Sequence, residues 1–381
     1  MQLTRRRYLT TVLALTVLTA ALLVGPRLAP WAGLAPAAAR IPDQTFWTLV
    51  TDFSEPSGYF RSDNLLSNET TFQLVIPELR KRTPADGVYI GVGPEQNFTY
   101  IAALRPRIAF IVDIRRQNLL LHLMYKAIFE MSNDRAEFLS RLFSRQRPPG
   151  LTAGTTARAL FEAFAQMQPN EDLYQSNLGE IFDRLTRVHG FGLFSADRPG
   201  LTYIYRAFFV GGPDIRYSFP RQYGGRWFPS YADLMMETDA DGVNHAFLAS
   251  EESYRTLREL QLNNRIVPLT GDFAGGKALR AVGDYLREQK QTVSYFYLSN
   301  VEQYLFQTEA WQGFFANVAA MPLDERSTFI RAFFNMGVRY PPPDMNAVVQ
   351  SATLLESMTS AVEAFHSGEI ETYGDVINRS R

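Results

Sequence analysis

A glycine pair and an acid, placed at the ends of two short apolar runs, are the residues of this chain that best suggest a binding site. Gly91 and Gly93 follow the run 87–90, and Asp113 ends a second run, 108–112. Glycine lets the backbone turn sharply and approach a ligand closely. An acid about 20 residues beyond the first glycine can accept hydrogen bonds from ribose hydroxyls. The spacing favours a nucleoside site, although a Gly-x-Gly turn alone is also typical of a plain strand-to-helix connection.

The residue type at position 96 indicates whether the ligand contains a pyrophosphate. The dinucleotide fingerprint places a third glycine or an alanine there, and this chain has Gln96. No cluster of backbone N–H groups is then freed to hold a pyrophosphate. A ligand with a ribose and an adenine but no phosphate fits better, and we expect S-adenosylmethionine as the cofactor.

The elements that position these residues alternate between strand-like and helix-like segments. Strands are predicted at 87–90, 108–112, 265–270, 292–298 and 327–334, with helices between them. This alternation predicts a Rossmann-like, doubly wound α/β fold with a mostly parallel sheet and helices on both faces. The long interval between the second and third strands predicts a helical insertion at about 118–262. We also expect an irregular stretch at 196–225 and a last helix at 345–365.

Composition excludes several kinds of site. The chain has 381 residues, of which 46% are hydrophobic, so it can bury a large core. It has no cysteine, which excludes thiol nucleophiles, disulfides and cysteine metal ligands. Its four histidines are not spaced as metal ligands, so no metal site is expected. Beyond residue 39 acids outnumber bases, and no nucleic-acid partner is expected.

The first 39 residues have the layout of an export signal. Arg5, Arg6 and Arg7 precede an apolar run at 8–24, and 37–39 are alanines that offer a cleavage site. The arginines also resemble the twin-arginine motif, which predicts an exported, periplasmic or extracytoplasmic protein with that export machinery as a partner. The alternative is an uncleaved anchor, in which 8–24 contact the inner membrane. In either case the folded domain is predicted at 40–381.

Five strings of the chain together carry a resemblance to a known class of proteins. They lie at 67–69, 91–97, 112–116, 271–275 and 298–304. The chain resembles class I S-adenosylmethionine-dependent methyltransferases. It resembles most closely a family of uncharacterised bacterial proteins with a methyltransferase-like domain.

The resemblance implies a role for particular residues. The glycine turn would hold the methionine part of the cofactor, Asp113 the ribose, and Asp272 the adenine amino group, with Phe273 against the ring. Other residues are implied around the cofactor (Asn68, Glu69, Glu95 and Asn97) and at the reacting methyl, as catalytic residues (Asn300, Glu302 and Tyr304). The methyl acceptor, a small or envelope-associated molecule, is not identified by the sequence.

One departure from the methyltransferase pattern keeps a second function open. Methyltransferases of this class carry an acid two residues before the first glycine, and this chain has Tyr89 there. Glu69 or Glu95 could replace that acid. The first expectation is therefore a methyltransferase of unknown acceptor. The alternative is an exported, non-catalytic binding protein that retains the methyltransferase-like fold.

Overall fold

Six β-strands form one sheet, in the order β3-β2-β1-β4-β5-β6. They are β1 Val88–Gly91, β2 Ile108–Asp113, β3 Ile266–Thr270, β4 Val293–Ser299, β5 Thr328–Phe334 and β6 Ser351–Ser357. The first five strands of the chain run parallel, and β6 pairs antiparallel with β5. The computed structural model describes residues 40–82, 86–217, 228–334 and 351–380, so the predicted export signal at 1–39 lies outside the described residues. The predicted α/β fold with a mostly parallel sheet is confirmed.

Strands β1, β2 and β3 form because most of their residues are apolar on both faces. Every residue of β1, β2 and β3 is buried, as expected for parallel strands covered on two sides. The strand order reverses direction between β1 and β4, since β2 lies on one side of β1 and β4 on the other. In open α/β sheets a crevice forms at the carboxyl ends of the strands at such a point. We therefore expect the ligand site among the residues that follow β1, β2, β3 and β4.

Helices connect the strands. Before β2 they are α1 Asp43–Phe53, α2 Ile76–Arg82 and α3 Gln96–Leu104. Between β2 and β3 they are α4 Arg116–Met131, α5 Arg135–Phe143, α6 Ala157–Ala165, α7 Glu171–Asp183, α8 Asp197–Gly211, α9 Tyr231–Met236 and α10 Glu251–Leu262. After β3 they are α11 Ala278–Glu288, α12 Val301–Gln307, α13 Trp311–Ala319, α14 Met358–Ser367 and α15 Tyr373–Arg379. The helices between β2 and β3 belong to the same compact unit as the sheet.

Aromatic side chains join α3 and α4 next to the sheet. The ring of Phe98 lies edge-on to His122, Tyr125, Phe129 and Phe247, with ring centroids 5.1 to 5.6 Å apart. Edge-to-face pairs at this separation are favourable because the positive edge of one ring meets the negative face of another. This cluster fixes α4 against the helix that follows the glycine turn.

Two predicted segments differ from the structure. Part of the stretch predicted as irregular is helix α8, because Pro199 lies in its first turn, where proline is tolerated, and Leu201, Ile204 and Phe208 are buried at helical spacing. Part of the predicted last helix, 351–357, is strand β6, because it pairs along its whole length with β5. At 351–357 the pairing with β5 outweighs the helical preference of the local sequence.

No helix among the described residues is both long enough and apolar enough to cross a membrane.

Candidate functional site

The glycine turn after β1 is held by its own side chains. Asn97 donates from Nδ2 to the carbonyls of Val92 and Pro94, at 2.9 and 2.7 Å, and its Oδ1 accepts from the Tyr89 hydroxyl at 2.9 Å. A Cβ added at Gly91 would collide with Asn97 Oδ1. Glycine is thus required at 91 to admit Asn97, and the structure gives Asn97 a role inside the turn rather than toward a ligand.

Gly93 needs glycine for a different reason. Its φ is +76°, in the left-handed region that other residues rarely adopt. Its carbonyl is paired with His122 Nε2 at 2.9 Å, which ties the turn to α4. Burial lowers the pKa of His122 to about 4, although the bond to Gly93 acts in the opposite direction. His122 is therefore neutral near pH 7 and supports the turn.

Two of the predicted cofactor residues are buried acids next to this turn. Glu69 accepts from Tyr297 and Ser299, both at 2.6 Å, and from Gln96 Nε2 at 2.7 Å. Burial raises its pKa, and these three donors lower it in part. Glu69 is 1% exposed and already accepts three hydrogen bonds, so in this form of the structure its carboxylate does not reach a cofactor amine. Asn68, beside it, is only half-buried.

Glu95 precedes α3 and is fully buried. Its Oε1 accepts from the backbone N–H of Ser67 at 3.3 Å, and its Oε2 has no partner among the described residues. Burial raises its pKa to about 8, and the nearby charge of Glu69 adds to the effect. Glu95 therefore carries a proton at neutral pH. A neutral carboxyl donates a hydrogen bond where a carboxylate only accepts one.

Asp113 ends β2 at the expected place, but its carboxylate is paired. Arg115 donates to it from the backbone N–H, from Nε and from Nη2, at 2.9, 3.0 and 2.9 Å. Asp113 is 4% exposed. A carboxylate has about four acceptor positions, so Asp113 retains capacity for one further donor. A ribose hydroxyl could reach it only if the chain above it moved.

That overlying chain is the segment 54–67, which we name the strap. The strap runs across the ends of three parallel strands. The N–H of Glu55 donates to Thr270 O at the end of β3, and the N–H of Gly58 donates to Ile114 O after β2, both at 2.8 Å. Arg115 donates to the carbonyls of Ser62 and Asp63, and Ser67 bonds to Glu95 and Gln96 beside β1. The strap thus covers the crevice where a ligand of an open α/β sheet binds.

Glu55 anchors the strap at its first end. Its carboxylate accepts from the backbone N–H groups of Asp272, Lys277 and Ala278, at 3.3, 2.9 and 2.7 Å. The last two lie at the N-terminus of α11, where unpaired N–H groups and the helix dipole favour an anion. A Cβ added at Gly275 would lie 2.5 Å from the carboxylate, so glycine there makes room for it.

The residues expected to contact adenine lie near this anchor. Asp272 Oδ1 accepts from Ala274 N at 2.9 Å, and the side chain is only half-buried, so it can still accept from a ligand. Phe273 does not face the crevice as expected. Its ring is 4% exposed and packs on Phe296 and Phe314, with centroids 5.1 and 5.8 Å apart. Phe273 is therefore a core residue.

The predicted catalytic residues after β4 have different positions. Asn300 is half-buried, donates to Gln303 Oε1 at 3.2 Å and precedes α12. Tyr304 is also half-buried and lies edge-on to Phe60 of the strap, with centroids 5.2 Å apart. Both side chains are partly exposed, and Phe60 of the strap touches Tyr304.

Glu302, unlike Asn300 and Tyr304, is buried in an ion pair. It is 2% exposed, and Arg331 of β5 donates to both of its oxygens, with 3.1 Å from Nη2 to Oε1. Arg331 also donates to Glu356 of β6 at 2.7 Å. The pair joins α12 to the sheet, and a carboxylate held in this way is not available as a general base. The structure therefore argues against a catalytic role for Glu302.

A family model described as "Domain of unknown function (DUF7790)" matches residues 65–189 and 216–367. The chain belongs to this family. A search of the curated proteins found no match. In this DUF7790 member, the matched residues include the glycine turn, Asp113, Asp272 and Asn300, whereas Glu55 and the first part of the strap precede them.

The DUF7790 domain also has functional candidates that the sequence analysis missed. Glu55 was not predicted, because its partners at 272–278 are brought to it only by the fold. Arg115 was expected as a solvated surface residue, with anion binding as the alternative, but it is buried and paired with Asp113 two residues before it. Asn118 was not predicted either, although it stands next to Gln117 in front of the apolar run 119–121. Among the described residues no group of three or more His, Asp or Glu side chains is arranged to hold a metal ion.

Proposed function

We propose that the chain binds S-adenosylmethionine, or its product S-adenosylhomocysteine, at the carboxyl ends of β1 to β4, as a methyltransferase-like binding protein. One observation carries this proposal. The strand order brings the glycine turn, Asp113, Asp272 and Asn300 to the ends of four neighbouring parallel strands, at the point where the order reverses. Nucleoside ligands of open α/β sheets bind at such points.

Binding without catalysis is the reading that the side chains favour. Glu302 is occupied by Arg331, and Glu69 by three donors, so neither supplies a free base beside the crevice. His122 is buried and neutral. A general base must reach the proton that it removes. Near the end of β4 this leaves side chains such as Asn300 and Tyr304, which can orient a ligand.

Methyl transfer is the second candidate. It is favoured by the position of Tyr304, whose half-buried side chain follows β4, where the methyl acceptor would lie in a methyltransferase-like site. Transfer of a methyl group between a sulfonium and an acceptor depends chiefly on positioning the two reactants. It would not need a strong base if the acceptor were already a good nucleophile.

The proposed site requires the strap to move. In the structure the strap bonds to residues that follow β2 and β3 and to Glu95 after β1. We propose that this is the unliganded form and that ligand binding shifts the strap outward. Since the shift breaks several hydrogen bonds, the observed affinity would be lower than that of an open crevice. We also propose that the chain is exported, on the basis of the arginines and the apolar run at 5–24.

Titration calorimetry of the full chain with S-adenosylhomocysteine tests the proposal. Asp113→Asn should weaken binding about tenfold or more, because the charge-assisted bonds of a carboxylate to ribose contribute roughly 1.5–3 kcal/mol each. Asp52→Asn, an exposed acid at the end of α1, is the matched control and should leave the affinity unchanged. Absence of binding at millimolar ligand would contradict the proposal. A methyl-transfer assay on the same samples distinguishes binding without catalysis from methyl transfer.

A further inference from the structure

Asn118 is a buried amide for which the described part of the chain supplies no hydrogen-bond partner. It is the third residue of α4 and is 2% exposed. Neither its Nδ2 nor its Oδ1 is bonded. An amide taken out of water without compensation is costly, and a native fold rarely retains one without a reason.

The position of Asn118 on α4 shows which part of the molecule it faces. Residues four apart lie on the same face of a helix, and His122, four residues later, is paired with the Gly93 carbonyl. Asn118 therefore lies one turn nearer the helix N-terminus on the face that looks toward the glycine turn. It also follows Asp113 by five residues along the chain. The glycine turn and Asp113 both belong to the proposed nucleoside site.

The strap is bonded to the chain just before Asn118. Arg115, which precedes α4, donates to Ser62 O at 3.1 Å, and the N–H of Arg116, the first residue of α4, donates to Ser57 Oγ at 3.1 Å. Asn118 thus follows directly after the two residues that hold the strap. We infer that release of the strap, which the proposed function requires, opens the start of α4 and its amide to a ligand.

We propose that Asn118 is a ligand-binding residue that recognises adenine, an inference that rests on the proposed function. Its Oδ1 accepts a hydrogen bond from the exocyclic amino group and its Nδ2 donates to the adjacent ring nitrogen. Asparagine pairs with the adenine edge in this way elsewhere in protein recognition, because the amide and the adenine edge each offer one donor beside one acceptor. This pairing satisfies both unbonded atoms at once. Asp272, to which the resemblance assigns the adenine amino group, would then contact the ligand less directly.

The test uses two variants at Asn118 and measures both stability and affinity in the full chain. Asn118→Leu keeps the number and branching of the side-chain heavy atoms and removes the unpaired amide, so the melting temperature without ligand should stay the same or rise. Its affinity for S-adenosylhomocysteine should fall at least tenfold. Asn118→Asp keeps the shape but loses the donor, and it should also weaken binding. Gln117→Leu, on the neighbouring half-buried position, is the matched control.

Two further probes, adenosine and L-methionine, separate the possible failures. The loss of affinity caused by Asn118→Leu should be similar for adenosine and absent for L-methionine. If the unaltered protein binds S-adenosylhomocysteine and Asn118→Leu binds it equally well, the inference on Asn118 is wrong and the proposed function stands. If the unaltered protein binds neither S-adenosylhomocysteine nor adenosine, both are wrong. A lower melting temperature with unchanged affinity would show that Asn118 is structural.

Discussion

Arg115 closes around the carboxylate of Asp113, with Nε and Nη2 donating to its two oxygens at 3.0 and 2.9 Å. Neither side chain is more than 7% exposed. The acid that would hold a ribose is therefore neutralised inside the molecule. The same arginine holds the strap through Ser62 O, so one side chain connects the occupied acid to the segment that covers it.

Arg115→Leu should destabilise the protein by about 3–5 kcal/mol, because removing one partner of a buried ion pair leaves an uncompensated charge. Urea unfolding of the full chain measures this loss. The double variant Asp113→Asn with Arg115→Leu should recover part of it, since no buried charge then remains. A single variant as stable as the unaltered protein would show that the pair is not formed in solution.

Glu55→Gln should loosen the strap. The carboxylate receives three backbone N–H groups at the start of α11, and loss of its charge weakens bonds that are about twice as strong as neutral ones. Cleavage by trypsin after the exposed Arg61 reports release of the strap and should become several-fold faster. Asp52→Asn provides the control. An unchanged rate at Arg61 would mean that Glu55 does not hold the strap.

Stability should depend on pH through Glu95. Burial raises the pKa of Glu95 to about 8 from an ordinary value near 4.5. Between these values the folded protein retains a proton that the unfolded chain releases, so stability is greatest at the lower pH and falls as the pH rises toward 8. Glu95→Gln should remove this part of the slope and stabilise the protein by up to about 4 kcal/mol at pH 8.

Thermal unfolding between pH 5 and pH 8 measures that slope. Glu162→Gln, at an exposed position of α6, should reproduce the slope of the unaltered protein. If Glu95→Gln and the unaltered protein have parallel profiles, Glu95 is ionised in the fold and its burial is relieved in some other way.

Glu302 should prove structural. Arg331 is shared by Glu302 and Glu356, and Glu356 also pairs with Arg379. Arg331→Met therefore leaves the buried carboxylate of Glu302 unpaired and should cost about 3 kcal/mol or more. Glu302→Gln should cost less and should leave the affinity for S-adenosylhomocysteine unchanged. Calorimetry and urea unfolding on the same two variants check this. A fully stable Glu302→Gln variant that had lost methyl transfer would restore the catalytic role.

The sequence predicted the parts of this molecule that depend on local pattern. Five apolar runs became the five parallel strands, and Gly91, Gly93 and Asp113 lie at the turns expected of them. What the sequence did not reveal depends on distant contacts. Glu55 meets Asp272 across more than two hundred residues, and Glu302 meets Arg331 only because β5 lies beside β4.

The errors in secondary structure have the same origin. Strand β6 exists because β5 offers an edge for 351–357 to pair with. Helix α8 was missed because Pro199 and Gly200 suggested a loop, although Leu201, Ile204 and Phe208 follow helical spacing. The spacing of these buried residues by itself indicates a helix.

Hydrogen exchange of the full chain, with and without S-adenosylhomocysteine, tests the central claim most directly. The account predicts slower exchange of backbone amides at 91–97, 113–118 and 270–275, together with faster exchange in the strap at 54–67. Opposite changes in these three segments and in the strap are expected because the ligand takes the place of the strap. No change in exchange at these segments, or protection confined to helices far from the strand ends, such as α7, would contradict the account.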